Sequence, residues 1–529
     1  MAKNFPELSR RRLYTSLFAL TIVWSLAVWA GVRGVDFGYH WDEQYWIMDN
    51  VRYSLETGIF LPGKYNYPSM CYNLSVLSLI PRAVQELFSS GDLPAKILEY
   101  VGRPECKIAV RTNFILITYL SVFWIFVLVR KLVNHNGTAL LAAALLGLSW
   151  EISYHARWIA PDAVMMQFGI FTMMCVVLAY RDGPGFPRLE MAAAGAGLAA
   201  GTKYPAFLLM VPVMVLLFQR GGLSGAMIGQ AARLAGIFLL VFLATTPGMV
   251  LEPDKFGKFT FYEIYHYARL GHAGHTVAPG LEHLGRIMLY YLFAAFSGYP
   301  AVSFVLCALG LAGVIRLLRT DRTAAMLLLS FPAAYILLFA AQRVMIVRNL
   351  LVVFPFLCVL SAIGFQEVWE RAGTKFTRAA VCLLMAGMLS LNAYRLIHAA
   401  ESIAGRTQSR PVHDLARYLE KNSHSQVWIS PKARAALSEE NRMPPNAVDA
   451  LSRGAEYAVF DSGELDYSAC RSCNYPFYAA AWFGPFDVNY NYYPDWEGAS
   501  RFVIMPTSHL ENLDVFKKPA DASLVDAKK

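Results

Sequence analysis

The sequence predicts a mainly α-helical, polytopic membrane protein. It has about eleven transmembrane helices, interfacial helices in a first outer loop, and a small C-terminal α/β domain outside the cytoplasm. Three observations predict this. The chain is 56% hydrophobic and only 16% charged, where a soluble protein is nearer a quarter charged. Apolar runs of spanning length recur from end to end. Short basic clusters punctuate those runs on alternate sides.

The elements follow in order. The chain begins with Lys3, Arg10, Arg11 and Arg12, then an apolar run to about Val32. A span needs about 20 such residues, and Arg33 and Asp36 follow with no small-residue cleavage site between, so this is read as a retained first helix rather than a signal peptide. Further spans are expected at 108–131, 138–152, 163–180, 189–203, 205–219, 234–250, 300–318, 323–341, 349–368 and 378–394. The loops holding Arg130/Lys131, Arg181/Arg188, Arg220/Arg233, Arg316/Arg319/Arg322 and Arg371/Lys375/Arg378 are short and basic. The positive-inside rule puts them and the N-terminus in the cytoplasm, and an odd helix count puts the C-terminal domain on the other side. The net charge of +9 resides in those clusters, which argues against nucleic acid as a partner.

Two units are expected: a transmembrane domain over 1–394 and an extracytoplasmic α/β domain over 395–529. The first outer loop (about 33–107) contains a short helix near 42–57 and an amphipathic stretch at 69–89 suited to the interface, as is 284–298. The tail shows strand-like segments at Gln426–Ser430, Ala458–Asp461 and Arg501–Pro506 and a helix near 411–421. Tyr and Asn crowd 474–496, which suits either sugar stacking or plain loop packing. Of eight Cys, Cys175, Cys307, Cys358 and Cys382 lie in apolar runs; Cys470 and Cys473 form a C-x-x-C that reads as a structural disulfide, and Cys71 and Cys106 are a second candidate pair.

Charged residues at helix ends in a membrane are costly and mark function. Here they gather on the outer side. Asp42-Glu43 follows the first helix; Arg157 and Asp162 flank an outer turn; Lys203-Tyr204 closes the next; Arg343 and Arg348-Asn349 precede a late helix. Singly, each has a plain explanation: Asp42-Glu43 or Asp162 as a helix-start partner, Lys203 snorkelling, Arg348 as an anchor. Jointly they fit a lipid-phosphate sugar donor. Arg and Lys hold the phosphate as it departs, and a carboxylate takes the proton of the attacking hydroxyl. No G-x-x-x-x-G-K-[ST] loop is present, in keeping with energy already stored in the phospho-sugar bond.

These segments resemble the C-type glycosyltransferase (GT-C) superfamily, in the branch of protein O-mannosyltransferases and lipid A aminoarabinose transferases. The resemblance rests on Asp42-Glu43, Tyr67-Pro68, Arg111, Ala156-Arg157 with Pro161-Asp162, Gly201-Thr202-Lys203-Tyr204, Arg348 with Pro355, and the stretch Ser409–Lys421. It spans about 1–420. It implies a GT-C-like fold, a polyprenyl-phosphate sugar donor, inversion at the sugar carbon, and a glycan, lipid or protein acceptor reached from outside. It implies Asp42 as base, with Arg157, Lys203 and Arg348 near the lipid phosphate; from their place on the same face, Glu43 and Asp162 are read beside Asp42 as acceptor- or base-orienting groups, and Tyr204 and Arg343 as further donor-phosphate candidates. The sequence has Arg348-Asn349 where the branch often has Arg-Tyr. Relatives also carry a His in the loop that here holds His266, His272 and His275, which are candidates for acceptor contact or, with a carboxylate, for a divalent metal. The expected location is a bacterial inner membrane with the C-terminal domain in the periplasm. A lipid-linked-sugar transporter or flippase and a noncatalytic glycan-binding partner are the other functions this pattern allows.

Overall fold

The computed structural model describes residues 10–36, 41–89, 91–183, 188–222, 224–272, 276–407, most of 412–461, and 502–506. All eleven apolar runs are helical, several of them broken by a short step. Among the described residues, eight helices are long and apolar enough to cross a membrane, and nine if the bent pair Asn136–Gly147 and Trp150–Ala156, turned by 55°, counts as one. The two shorter ones among the described residues are Arg188–Ala200 and Tyr204–Arg220. The 13 residues of Arg188–Ala200 rise only about 20 Å, against about 30 Å of hydrocarbon.

The bundle is held by close packing of small residues, as expected where lipid offers no hydrophobic drive for helix association. A Cβ on Gly313 would lie 2.0 Å from Leu360 O, and one on Gly364 would lie 1.8 Å from Leu309 O. Helices Pro300–Thr320 and Phe354–Arg371 therefore touch backbone to backbone, and Ser361 Oγ adds a hydrogen bond to Leu306 O at 2.8 Å.

The two ends of the bundle differ in chemistry. At one end the basic loops are cross-linked: Lys131 to Asp182 at 3.1 Å, Arg181 to Asp321 at 2.7 Å, Arg316 to Glu370 at 2.7 Å. At the other end lie Asp42, Glu43, Arg111, Asp162, Lys203 and Arg348. The first outer loop builds its own core there. Ile47, Met48, Val51, Cys71, Tyr72, Ile97 and Val101 pack on Cys106, Val110, Phe114, Ile159 and Val164. Cys71 and Cys106 are both buried free thiols in that core, serving as small apolar groups; the pairing suggested for them is not made. The amphipathic stretch is two helices. Met70–Leu77 faces inward, while Ile80–Leu87 has no buried residue and exposes Ile80, Val84 and Leu87. Leu281–Phe293 buries Ile287, Tyr290 and Tyr291 against the bundle core and exposes Leu281, Met288 and Leu289 on its other side.

The last long helix, Lys375–Thr407, runs through residue 394, and Glu401 clasps Arg33 at 2.9 Å. Beyond it is a small sheet in the order β2-β1-β3-β4: β1 Val427–Ile429, β2 Ala447–Val448, β3 Tyr457–Asp461 and β4 Phe502–Pro506. β1 pairs in parallel with β2 and β3, and β4 is antiparallel to β3. Val412, Leu415, Ala416 and Leu419, with Ala433 and Leu437, cover it. The Tyr/Asn-rich stretch 474–496 and Cys470/Cys473 lie outside the described residues.

Candidate active site

Four segments far apart in sequence converge at the end of the bundle opposite the basic loops. Asp42 lies in the turn Trp41–Glu43, followed by a π-helical turn, Gln44–Met48. Pro161 occupies the first position of the helix Pro161–Asp182, which fixes Asp162 in its first turn, a favourable place for a carboxylate. Lys203 sits in the extended step between Arg188–Ala200 and the 3-10 turn Tyr204–Leu209. Arg348 and Asn349 open the 3-10 turn Val347–Val353, which leads into Phe354–Arg371 with Pro355 in its first turn.

Their side chains form one buried network. Lys203 Nζ donates to Asp162 Oδ1 at 2.6 Å and to Asn349 Oδ1 at 2.5 Å. Arg348 Nη1 donates to Asp42 Oδ2, and Arg348 Nε lies 3.7 Å from Asp162 Oδ2. Exposure is 6% for Asp42, 1% for Asp162, 4% for Lys203 and 7% for Arg348, so the charges must balance inside the protein. Two carboxylates and two cations do so. Among the described residues, Asp42 Oδ1 is buried with no hydrogen-bond partner, which leaves one oxygen able to accept a proton. Asn349 Nδ2 extends the network to Tyr267 Oη at 3.3 Å.

Other expected site residues are brought close but held differently. Glu43 is gripped by Arg111, whose Nε donates to Oε2 at 3.1 Å and whose Nη2 donates to Oε1; Ile159 N also donates to Oε2 at 3.2 Å. Arg111 Nη1 reaches Val35 O at 2.8 Å. This bidentate pair is fully buried and fixes the backbone that presents Asp42. Arg157 donates to Ala30 O at 2.5 Å and Gly31 O at 3.1 Å. It satisfies carbonyls at the end of the first helix and has no contact in the Asp42–Lys203 network. Tyr204 Oη donates to Tyr65 O at 2.7 Å and accepts from Thr260 at 3.0 Å. Arg343 is exposed and donates from Nη1 to Arg269 O at 2.9 Å.

The His-bearing segment ends in a second π turn, His266–Leu270. His266 Nε2 lies 3.2 Å from His272 Nδ1. Burial, then His266 and Arg348, press the His272 imidazole down to about 4, against Asp42, so it is neutral near pH 7. His275 lies outside the described residues. Among the described residues no three His, Cys, Asp or Glu side chains converge to hold a metal ion.

Sequence reasoning missed Glu263 and Asn66. Asn66 Nδ2 donates to Glu263 Oε2 at 3.1 Å, joining the 33–107 loop to the helix Pro253–Tyr265. Burial raises the Glu263 carboxyl above its ordinary value, and Asn66, His266, Lys203 and Arg348 offset that only in part. The available signal was the spacing Glu263, His266, Tyr267, one turn of a helix.

Residues 103–248, under half of the chain, match the family model described as Dolichyl-phosphate-mannose-protein mannosyltransferase. That stretch carries Arg111, Arg157, Asp162 and Lys203, and is therefore similar to a family of glycosyltransferases. No curated protein sequence matches the chain. Two solved structures are similar over most of its length. One is the archaeal oligosaccharyltransferase AglB from Archaeoglobus fulgidus, in complex with an inhibitory peptide and a dolichol-phosphate: 13% identity, 88% of this chain, 71% of that one, TM-score 0.49. The other is ArnT from Cupriavidus metallidurans, bound to undecaprenyl phosphate: 14% identity, 86% of this chain, 94% of that one, TM-score 0.45.

Proposed function

We propose that the protein is a GT-C-type membrane glycosyltransferase that moves a sugar from a polyprenyl-phosphate donor to a hydroxyl acceptor. The observation that carries this reading is the buried Asp42–Arg348–Asp162–Lys203 network, with an unpartnered carboxylate oxygen beside two cations. The match of residues 103–248 to a mannosyltransferase family supports it independently.

The step runs as follows. The acceptor oxygen attacks the anomeric carbon, and its proton passes to Asp42. The bond from that carbon to the phosphate oxygen breaks, and polyprenyl phosphate departs with the electron pair. Arg348 and Lys203 stabilise the phosphate charge, and attack opposite the leaving group inverts the carbon. Asp162 orients Lys203 and Arg348. Glu43 and Arg111 position Asp42. Arg157 acts by holding the end of the first helix. The acceptor is a glycan, lipid or protein hydroxyl. The basic end faces the cytoplasm, so the site and the C-terminal domain face the periplasm of a bacterial inner membrane.

A transporter needs its polar residues near mid-bilayer. Asp162 and Arg348 instead lie in the first turns of their helices, at one end of the bundle, which favours transfer at the interface. The test in cells is mass spectrometry of lipid-linked sugars and envelope glycans after deletion. A polyprenyl-phosphate sugar should accumulate while one glycan, lipid or protein modification disappears. Unchanged lipid-linked sugars and glycans contradict the reading.

A further inference from the structure

Glu263 and Asn66 take no part in the step above, yet they border the same space. Asn66 precedes Tyr67, whose ring centre lies 5.8 Å from Lys203 Nζ. Glu263 stands one turn before Tyr267, whose hydroxyl accepts from Asn349, the second partner of Lys203. The charges of Lys203 and Arg348 both act on Glu263, but among the described residues Glu263 makes no ion pair; its partner is Asn66. Asn66 is 3% exposed, and its Oδ1 is buried with no hydrogen-bond partner among the described residues.

Asp42 and Asp162 are neutralised by direct ion pairs with Arg348 and Lys203, whereas Glu263 is held by the neutral Asn66, so its carboxylate repels phosphate and this pair serves another part of the substrate. An ionised carboxylate only accepts hydrogen bonds, and an amide oxygen adds another acceptor. The chemistry that answers such a set is a run of hydroxyls. Tyr67 and Tyr267 add aromatic surface of the kind that packs on a sugar ring. Because Glu263 sits on the Lys203–Asn349–Tyr267 side, the sugar nearest to it is the one joined to the phosphate.

We propose that Glu263 and Asn66 are the sugar-recognising pole of the donor site, accepting hydrogen bonds from ring hydroxyls of the transferred sugar and turning away sugars that carry a carboxylate. This rests on the reading of the chain as a polyprenyl-phosphate-sugar transferase.

Binding to the full-length protein in nanodiscs, with no acceptor present, tests it. The probes are undecaprenyl phosphate and its mannose, glucose, N-acetylglucosamine and glucuronic acid conjugates. The wild type should prefer at least one neutral conjugate over the bare lipid and over the glucuronate. Glu263→Gln should weaken that preference by about tenfold or more, the worth of a hydrogen bond to a charged group, and Asn66→Ala by about two- to tenfold, the worth of a neutral one. Both should bind bare undecaprenyl phosphate as the wild type does, which also shows that they fold. Variants that keep the preference, or a wild type that binds every headgroup alike, overturn the proposal. A wild type that ignores undecaprenyl phosphate altogether overturns the parent reading, and this one with it.

Discussion

Asp42 and Glu43 are neighbours with different partners, and the difference sets different outcomes on mutation. Glu43 and Arg111 are 0% and 1% exposed and hold each other in two hydrogen bonds. Removing one partner strands the other charge, at a cost of about 3–5 kcal/mol. Glu43→Ala or Arg111→Ala should therefore lower the Tm in detergent sharply, and Glu43→Leu with Arg111→Leu should recover much of the loss; equal Tm values for the single and double variants contradict the assignment. Asp162→Asn is expected to cost a similar amount, because Lys203 loses its carboxylate. His272 supplies a pH effect. Its ordinary value of 6.5 falls to about 4 in the fold, next to His266, Arg348 and Asp42. Between those values the unfolded chain binds the proton more readily, so stability falls as pH drops from 6.5 toward 4. The protection factors of residues 262–272 against hydrogen exchange, taken relative to the intrinsic rate at each pH, should fall over that window in the wild type and fall less in His272→Gln. The sequence carried Asp42, Asp162, Lys203 and Arg348 to one face, because apolar period and basic clusters fix sidedness. It could not show which charge meets which. Arg157 is the plain example: its position matched the face, but its side chain turns back to Ala30 and Gly31.

At the scale of elements, the apolar runs were legible because length and composition alone decide whether a segment spans. The breaks within them were not. Ser149 caps Trp150–Ala156 through a hydrogen bond from Ile152 N at 3.3 Å, starting a new helix that lies at 55° to the one before it. Glu263 was hidden for a related reason. Its helix, Pro253–Tyr265, has no fully buried residue and reads as a solvated or interfacial surface. The contact of Gly313 with Gly364 makes a sharp prediction. Gly364→Leu must push the Leu309 carbonyl out of van der Waals range, so Pro300–Thr320 and Phe354–Arg371 separate. That displaces Val347–Arg371 and Arg348 with it. Expression of folded protein should fall sharply, and any folded remainder should bind undecaprenyl phosphate more weakly than the wild type. Normal yield with normal binding contradicts the packing argument.

The whole molecule divides its chemistry between two ends. One end is a belt of ion pairs among basic loops; the other carries the buried charge network beneath the outer loops. Single-cysteine variants at Lys131 and at Arg343 should react with a membrane-impermeant maleimide from opposite sides of sealed vesicles; labelling from the same side contradicts the topology. The central claim, that this network transfers sugar with Asp42 as base, has one direct test. Asp42→Asn keeps the size of the side chain and a hydrogen-bonding oxygen for Arg348 but cannot take the proton. In proteoliposomes supplied with the donor and acceptor identified by deletion, transfer should fall by about 10²- to 10⁴-fold while undecaprenyl phosphate still binds. Full transfer by Asp42→Asn would contradict the account.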